Sequence, residues 1–79
     1  SGAVSLVQPD ASSGWVGTSV ATIEERVGGR VAWISRGSGA LVPEPTTLLQ
    51  EHDRLHLAVA TERIAAAQRV LSRPPVQEA

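Results

Sequence analysis

The sequence predicts a small α+β domain with the element order β-α-β-β-β-α, two helices and a mixed or antiparallel sheet. Two segments repeat apolar residues at helical spacing, and four short segments alternate or cluster them as strands do. Glycine and proline residues separate most of these segments. The predicted elements are, in order, a strand over residues 3–7, a helix over 20–27, strands over 30–36, 40–42 and 54–60, and a helix over 61–72.

Local chemistry sets the helix ends. Thr18 or Ser19 can cap the first helix, because a hydroxyl oxygen accepts a hydrogen bond from a free N–H of the first turn. Gly28-Gly29 ends it, since glycine adopts the left-handed backbone after a last turn at little cost. Thr61 is the expected cap of the second helix. The expected buried faces share one spacing, and they are Val20, Ile23 and Val27 in the first helix and Ile64, Ala67 and Leu71 in the second.

The second strand carries arginine at both ends. Strict alternation places Val31 and Trp33 on one face. The other face then carries Arg30, Ala32, Ile34 and Arg36. Across a two-fold axis, that second face would be apolar in the middle and basic at its ends. Such a surface could hold a flat base and its phosphate.

The segment before the last strand fits two patterns. At helical spacing Leu48, His52 and Leu55 share a face, whereas at period two residues 54–60 alternate as a strand. We favour the strand, preceded by a turn that Asp53 braces by accepting hydrogen bonds from backbone N–H groups.

Composition limits the core and the partners. The chain has no Phe, Tyr, Met or Cys, so disulfides and thiolate metal sites are excluded. A domain of this size buries only about 60% of its unfolded surface, which makes self-association into a homodimer the expected support. The net charge of −1 gives no general attraction to nucleic acid or anionic membranes. No apolar run approaches the ~20 residues of a membrane span.

The length of 79 residues is typical of one domain. Ser1-Gly2-Ala3 has the composition of a cloning remnant, and residues 4–73 form the predicted domain. Residues 74–79 begin with a proline pair that ends the helix, and they are expected to be a disordered tail.

The run ISRGSGALVPEP at 34–45 has the glycines of a phosphate cradle. A dinucleotide fingerprint needs a third glycine where this chain has Val42, and a Walker loop needs a lysine, which the chain lacks. The run therefore predicts a β-hairpin. Arg36 beside it is either a solvated surface residue or a two-point donor to phosphate oxygens.

His52 and His56 have the spacing of the zinc motif H-E-x-x-H, with Asp53 in place of the glutamate. That spacing brings two imidazoles together only on a helix. A small metal-dependent hydrolase built on His52 and His56 is therefore a remote alternative, and it requires a helix through residues 48–60.

The run GGRVAWISRGSGALVPEPTTLLQEHDRLHLAVATERIAAAQRVL, with WVGTSVATIEERVG before it, resembles the TrkA C-terminal domain, also called the RCK C-terminal domain. That family has a helix, a strand ending in Ile-x-Arg, a glycine turn, a proline after the short return strand, and Gly-Asp before the last strand. Ile34-Ser35-Arg36, Gly37, Pro43 and Asp53-Arg54-Leu55 match in that order. The resemblance covers about residues 4–72.

The resemblance has one departure. The residue before Asp53 is usually glycine in the family and is His52 here. If the turn requires a positive φ, histidine can adopt it at some cost, because it tolerates that region better than a β-branched residue does.

The resemblance implies a homodimeric regulatory module of a bacterial Trk-type potassium uptake system, at the cytoplasmic side of the membrane. Its implied partners are a nucleotide-binding Rossmann domain of the same protein, where NAD or ATP would bind, and a membrane transporter subunit. No catalytic residue, metal or cofactor is implied for this domain itself. Similar domains also serve cation/proton antiporters.

Some family members bind cyclic di-AMP at the dimer interface. By position, the resemblance makes Ile34, Arg36 and Pro43 the candidate ligand residues, and the strand pattern adds Arg30. Ligand binding would favour one hinge angle between the attached domains. The main alternative is a purely structural dimerisation module without a ligand of its own.

Overall fold

The computed structural model describes residues 2–76, which form a four-stranded sheet with two helices on one of its faces. Ser1 of the expected remnant and residues 77–79 of the expected tail lie outside the described residues. The predicted α+β class and element order are confirmed. The elements are β1 (Val4–Val7), α1 (Val20–Val27), β2 (Arg30–Arg36), β3 (Gly39–Leu41), β4 (Arg54–Ala60) and α2 (Ile64–Ser72).

The sheet is antiparallel, with the strand order β1-β4-β2-β3. Residues 54–60 form the predicted strand, and their alternation explains why: Leu55, Leu57 and Val59 are buried under the helices while the residues between them face the other side. The hairpin between β2 and β3 is also as predicted, with Gly37 at a positive φ in its turn.

β2 contains a β-bulge. Val31 and Trp33 pair with consecutive residues of β4, so Ala32 is one residue too many for the pairing. One extra residue exchanges the two faces of a strand. Val31 and Ile34 are therefore both buried against the helices, and Trp33 faces the opposite side. The strict alternation expected over the whole of β2 is wrong, because it allowed for no such residue.

α1 has the ends that its sequence predicts. Of the two candidate caps, Ser19 is the one used, and its Oγ accepts a bond from the Thr22 N–H at 3.3 Å. Gly28 follows the last turn in the left-handed conformation, and its N–H bonds to the Glu24 carbonyl at 2.9 Å.

The expected capping of α2 by Thr61 is wrong. A short 3-10 turn over Thr61–Arg63 precedes the helix, and no side chain caps it. The Thr61 Oγ1 instead bonds to the Ser5 Oγ at 2.7 Å, and its N–H donates to the Ala3 carbonyl at 3.1 Å. Val4 pairs with Ala60, the last residue of β4. Thr61, which follows directly, therefore still lies beside β1, and its hydroxyl bonds to β1 instead of capping α2.

One core fills the space between sheet and helices. The expected helix faces are confirmed, with Ile64 packed at its margin. At roughly 25 cal/mol per Å² of apolar surface removed from water, this core is the main source of stability in so small a domain. Its buried residues are Trp15, Val20, Ile23, Val27, Val31, Ile34, Leu49, Leu55, Leu57, Val59, Ala67 and Leu71.

Trp15 fixes the segment that follows α2. Its indole N–H donates to the Arg73 carbonyl at 2.7 Å, and the Arg26 Nη2 donates to the Val76 carbonyl at 3.1 Å. Residues 74–76, the first half of the expected tail, thus lie along the helix layer. Over residues 2–76, no helix has both the length and the apolar character that crossing a bilayer requires.

Candidate functional site

Arg36 belongs to a closed cluster at the end of β2. Its Nε donates to the Asp53 Oδ1 at 2.9 Å and its Nη2 to the Asp53 Oδ2 at 2.7 Å. The same Nη2 donates to the Leu48 carbonyl at 3.2 Å. This two-point pairing is the strong form of an arginine–carboxylate contact. Arg36 is therefore not the solvated surface residue that one interpretation of the sequence expected, since its guanidinium already holds an anion from its own chain.

Asp53 is the buried half of the pair. Its side chain is 1% exposed, against 30% for Arg36. The hydrogen bond from Arg36 lowers the pKa of Asp53 below its usual range; the Gln50 N–H and the positive charge of Arg36 act in the same direction, and burial opposes them. The Gln50 N–H donates to the Asp53 Oδ2 at 2.8 Å. The predicted bracing of this turn by Asp53 is confirmed.

The turn before Asp53 holds a strained residue. His52 has a φ of +70°, and within residues 2–76 it is the non-glycine residue that adopts a positive φ. The backbone thus has the conformation that suits glycine at this position, although histidine occupies it. A side chain in this region costs roughly 1–2 kcal/mol, which the bonds around Asp53 offset.

The four candidate ligand residues do not form one group. Ile34 is fully buried in the core, and Pro43 follows β3 at the edge of the sheet. Arg30 lies at the opposite end of β2 from Arg36 and, because of the bulge at Ala32, does not share its face. The face common to both arginines that alternation predicted is therefore wrong. Whether these residues hold a ligand stays a prediction.

Arg30 lies in an acidic neighbourhood. Its side chain is 84% exposed, and its Nη1 is 3.9 Å from the Glu24 Oε1. The other Glu24 oxygen accepts a bond from the Val31 N–H at 2.9 Å. Glu24 and Glu25 line the shallow cavity of about 490 Å³ beside Arg30, so an anion there would meet two carboxylates.

The face of the sheet away from the helices is open, and we call it the open sheet face. Trp33 and His56 stack on it with ring centroids 4.1 Å apart, and the Ser35 Oγ bonds to the His56 Nε2 at 2.8 Å. Val4 and Leu6 of β1 lie on the same side, because their neighbours on β1 pair with the buried residues of β4. Large apolar side chains here are exposed to solvent.

The zinc-like spacing of His52 and His56 has no helix to support it. His52 lies in the turn and His56 in β4, where its ring packs against Trp33. Within residues 2–76, no three histidine, aspartate or glutamate side chains are grouped so that they could hold a metal ion. The helix that the metal-dependent hydrolase requires is absent from this segment, which is a turn followed by a strand.

Sequence reasoning missed the pairing of Arg36 with Asp53. The two residues are 17 positions apart. Arg36 is the last residue of β2, and Asp53 lies in the turn before β4. Only the register of β2 against β4, which pairs Ser35 with Arg54, brings them together. One signal could have revealed this pairing. Asp53 comes immediately before β4, the strand that pairs with the strand carrying Arg36.

The fold occurs in a structure of the GsuK channel bound to NAD and in one of the GsuK RCK domain, each with a TM-score of 0.75 and 19% identity over 86% of this chain. This chain covers 13% and 16% of those chains. The class is therefore that of small α+β domains with the RCK C-terminal fold.

The family is shown by sequence. A model of the TrkA-C domain matches residues 4–72, and the chain belongs to the TrkA-C domain family. It is 32% identical over 77 residues to a Trk system potassium uptake protein TrkA of Streptomyces coelicolor strain A3(2). The match covers 98% of this chain and 34% of that relative, so the chain spans about a third of the relative's length.

Proposed function

We propose that this domain is a regulatory and dimerisation module of a potassium transport system, on the cytoplasmic side of the membrane. The observation that carries the proposal is the 32% identity to a potassium uptake protein over 98% of the chain. Its partners would be an N-terminal nucleotide-binding RCK domain of the same protein, which would hold NAD or ATP, and a membrane transporter subunit. The domain itself would perform no catalysis.

The homodimer in this proposal uses the open sheet face. Leu6 is 63% exposed and lies on that face with Val4 and Trp33. Two such faces from two chains can pack as the sheets of a sandwich do, with interdigitated apolar side chains. Removing this surface from water supports association.

A charge on the open sheet face tests the dimer. Leu6→Glu should shift the domain towards monomer in sedimentation velocity, since a carboxylate would be desolvated in the interface. The matched control is Leu48→Glu, because Leu48 is also a half-exposed leucine, at 53%, and lies in the loop beside Ser19. A dimer that survives Leu6→Glu but not Leu48→Glu would place the contact elsewhere, and a monomeric parent domain would overturn the dimer.

A cyclic dinucleotide such as cyclic di-AMP is the proposed ligand, with Arg36 and Pro43 as the candidate contact residues. Ile34 is buried beneath them and Arg30 lies on the other face among carboxylates. Arg36 could pair with a phosphate only by exchanging Asp53 for it, since the two-point contact is already made. The exchange would free Asp53 and loosen the turn at His52. A ligand that favours one arrangement of this turn over the other would regulate the attached domains through that difference in affinity.

Calorimetric titration with cyclic di-AMP, with ATP and NAD as controls, tests the ligand. Asp53→Asn removes the competing carboxylate while keeping its size, so it should tighten binding if Arg36 receives the phosphate. Arg36→Ala should abolish binding. Binding that is weaker in Asp53→Asn, or unchanged in Arg36→Ala, would remove Arg36 from the ligand site.

The second candidate is a structural dimer without a ligand of its own. The observation that favours it is the pairing of Arg36 with a buried carboxylate, which leaves this arginine a role in holding the turn. Dimerisation that depends on Leu6, together with no heat from any of the three nucleotides, would establish this version.

A further inference from the structure

A cleft lies between the C-terminal ends of the two helices, and we call it the arginine cleft. Its volume is about 540 Å³, and it is open to solvent on one side. Sites that hold ligands have volumes of about 300–1,000 Å³. Its lining residues are Trp15, Arg26, Arg69, Val70, Arg73 and residues 74–76.

The arginine cleft concentrates positive charge. Arg26, Arg69 and Arg73 are three of the seven basic residues of the chain. Among residues 2–76, no carboxylate lines the cleft, and the arginines that form ion pairs are Arg30 and Arg36. In a chain whose net charge is −1, this is a local field that favours an anionic partner.

Helix ends explain only part of this cluster. Arg26 and Arg69 lie in the last turns of α1 and α2, where a cation is favourable next to the free carbonyls. Arg73 lies beyond the end of α2 in extended backbone, so the free carbonyls of the helix end do not account for its position. The Arg26 Nη2 reaches across to the Val76 carbonyl, which holds its guanidinium over the cleft.

The floor of the cleft is apolar and fixed. Trp15 is buried, and its indole N–H is bonded to the Arg73 carbonyl at 2.7 Å. Val70 is half-buried beside it, and Pro74-Pro75 forms a stiff wall because the proline ring fixes φ. An apolar surface surrounded by guanidinium groups is thus already in place without a partner.

We infer that the arginine cleft binds an acidic protein segment that carries an aliphatic side chain between carboxylates. The aliphatic side chain would lie against Val70 and the Pro74-Pro75 wall, above the buried Trp15. The carboxylates would pair with Arg69 and Arg73 at the rim. Small molecules are mostly enclosed by their sites, with about 70–90% of their surface buried. A cleft open along one side suits a segment that is laid on from solvent. None of the residues that line the arginine cleft belongs to the open sheet face or to the candidate cyclic dinucleotide residues.

The experiment uses a fluorescent peptide of sequence Glu-Asp-Leu-Glu-Asp, with Gln-Asn-Leu-Gln-Asn as its uncharged match, and measures anisotropy. Saturable binding of the acidic peptide alone is expected, and it should weaken as the screening length falls from about 30 Å to about 3 Å with added salt. Arg69→Gln and Arg73→Gln should each weaken binding about fivefold, the factor that one exposed ion pair supports. Arg54→Gln and Arg63→Gln are the controls, since they remove the same charge elsewhere.

Tryptophan fluorescence locates the peptide. The chain has two tryptophans, so Trp33→Phe leaves Trp15 as the sole reporter, and its emission should change with the same dissociation constant. Equal binding of the uncharged peptide, or equal loss in the control variants, would overturn the inference. So would binding of pyrophosphate without the peptide, which indicates a small-anion site. Peptide binding that appears only in Glu78→Gln would also overturn it, since the chain itself would then be the occupant.

Discussion

The two ends of β2 carry the same residue type in different surroundings. Arg30 is 84% exposed and 3.9 Å from Glu24, whereas Arg36 is 30% exposed and makes a two-point contact with Asp53. The β-bulge at Ala32 lies between the two arginines. It exchanges the two faces of the strand, so that Arg36 does not face the same side as Arg30. The role of each arginine in β2 is therefore decided by the register of the strand beside it.

The largest expected effect on stability comes from Ile34, which is buried in the core because of the bulge. Ile34→Ala should lower the free energy of unfolding by about 3 kcal/mol, because it removes fully buried methyl and methylene groups and leaves a cavity. Urea denaturation followed by tryptophan fluorescence measures this. Val42→Ala is the control, since Val42 is 82% exposed. Equal and small losses in both variants would mean that Ile34 faces solvent, as a strand without the bulge would allow.

The contact between Arg36 and Asp53 should have the next largest effect on stability. Asp53→Ala removes the acceptor of bonds from Arg36 and from the Gln50 N–H, and should cost about 2 kcal/mol. Water can solvate the partly exposed Arg36, so the loss stays below the 3–5 kcal/mol of a fully buried pair. Arg30→Gln at the other end should cost less than about 0.5 kcal/mol in the same denaturation experiment. Similar losses in Asp53→Ala and Arg30→Gln would mean that the contact of Arg36 with Asp53 stabilises the fold no more than the exposed pair of Arg30 with Glu24.

The same pair predicts a dependence on pH. The folded-state pKa of Asp53 is lowered, chiefly by the hydrogen bond from Arg36, so its stabilisation is complete above the unfolded value of about 3.9. That stabilisation should be lost as the pH falls from there through the lower folded-state pKa. Asp53→Asn should lack this part of the acid-induced loss, and thermal unfolding of both proteins across that range measures the difference. Parallel curves would show that the carboxylate is not stabilised in the fold.

A gain in stability is expected at the turn before Asp53. His52→Gly should raise the free energy of unfolding by about 0.5–1 kcal/mol, because the left-handed backbone costs a side chain about 1–2 kcal/mol and the added freedom of unfolded glycine takes back part of it. His52→Ala keeps the Cβ atom and should give no such gain, which separates backbone strain from loss of the imidazole. A gain of equal size in both variants would assign the strain to the ring.

Much of the fold followed from short-range signals. Some features depend on residues only a few positions apart in the sequence, and the structure confirms them. They are the bounds of α1 and β4, the glycine after α1 and the hairpin at Gly37. The cap of α2 did not follow, because the hydroxyl of Thr61 is taken by Ser5, 56 positions away.

The candidate site was harder to predict for the same reason. Arg36 and the turn at Asp53 were each singled out, but a period of two says nothing about which strand lies beside β2 or about an extra residue at Ala32. Arg30 and Arg36 were therefore expected on one face. The sequence does not predict the arginine cleft either, because its side chains come from the ends of two helices that meet only in the folded chain.

The bulge at Ala32 also governs how residues can be matched between relatives of this domain. A relative whose corresponding strand lacks the extra residue, aligned to this chain without a gap, would agree in position up to residue 31 and have inside and outside exchanged beyond it. Ligand residues transferred across such an alignment would reach the wrong side of the sheet. For this domain, a gap of one position in β2 is therefore part of the correct correspondence, even though gaps are usually placed in loops.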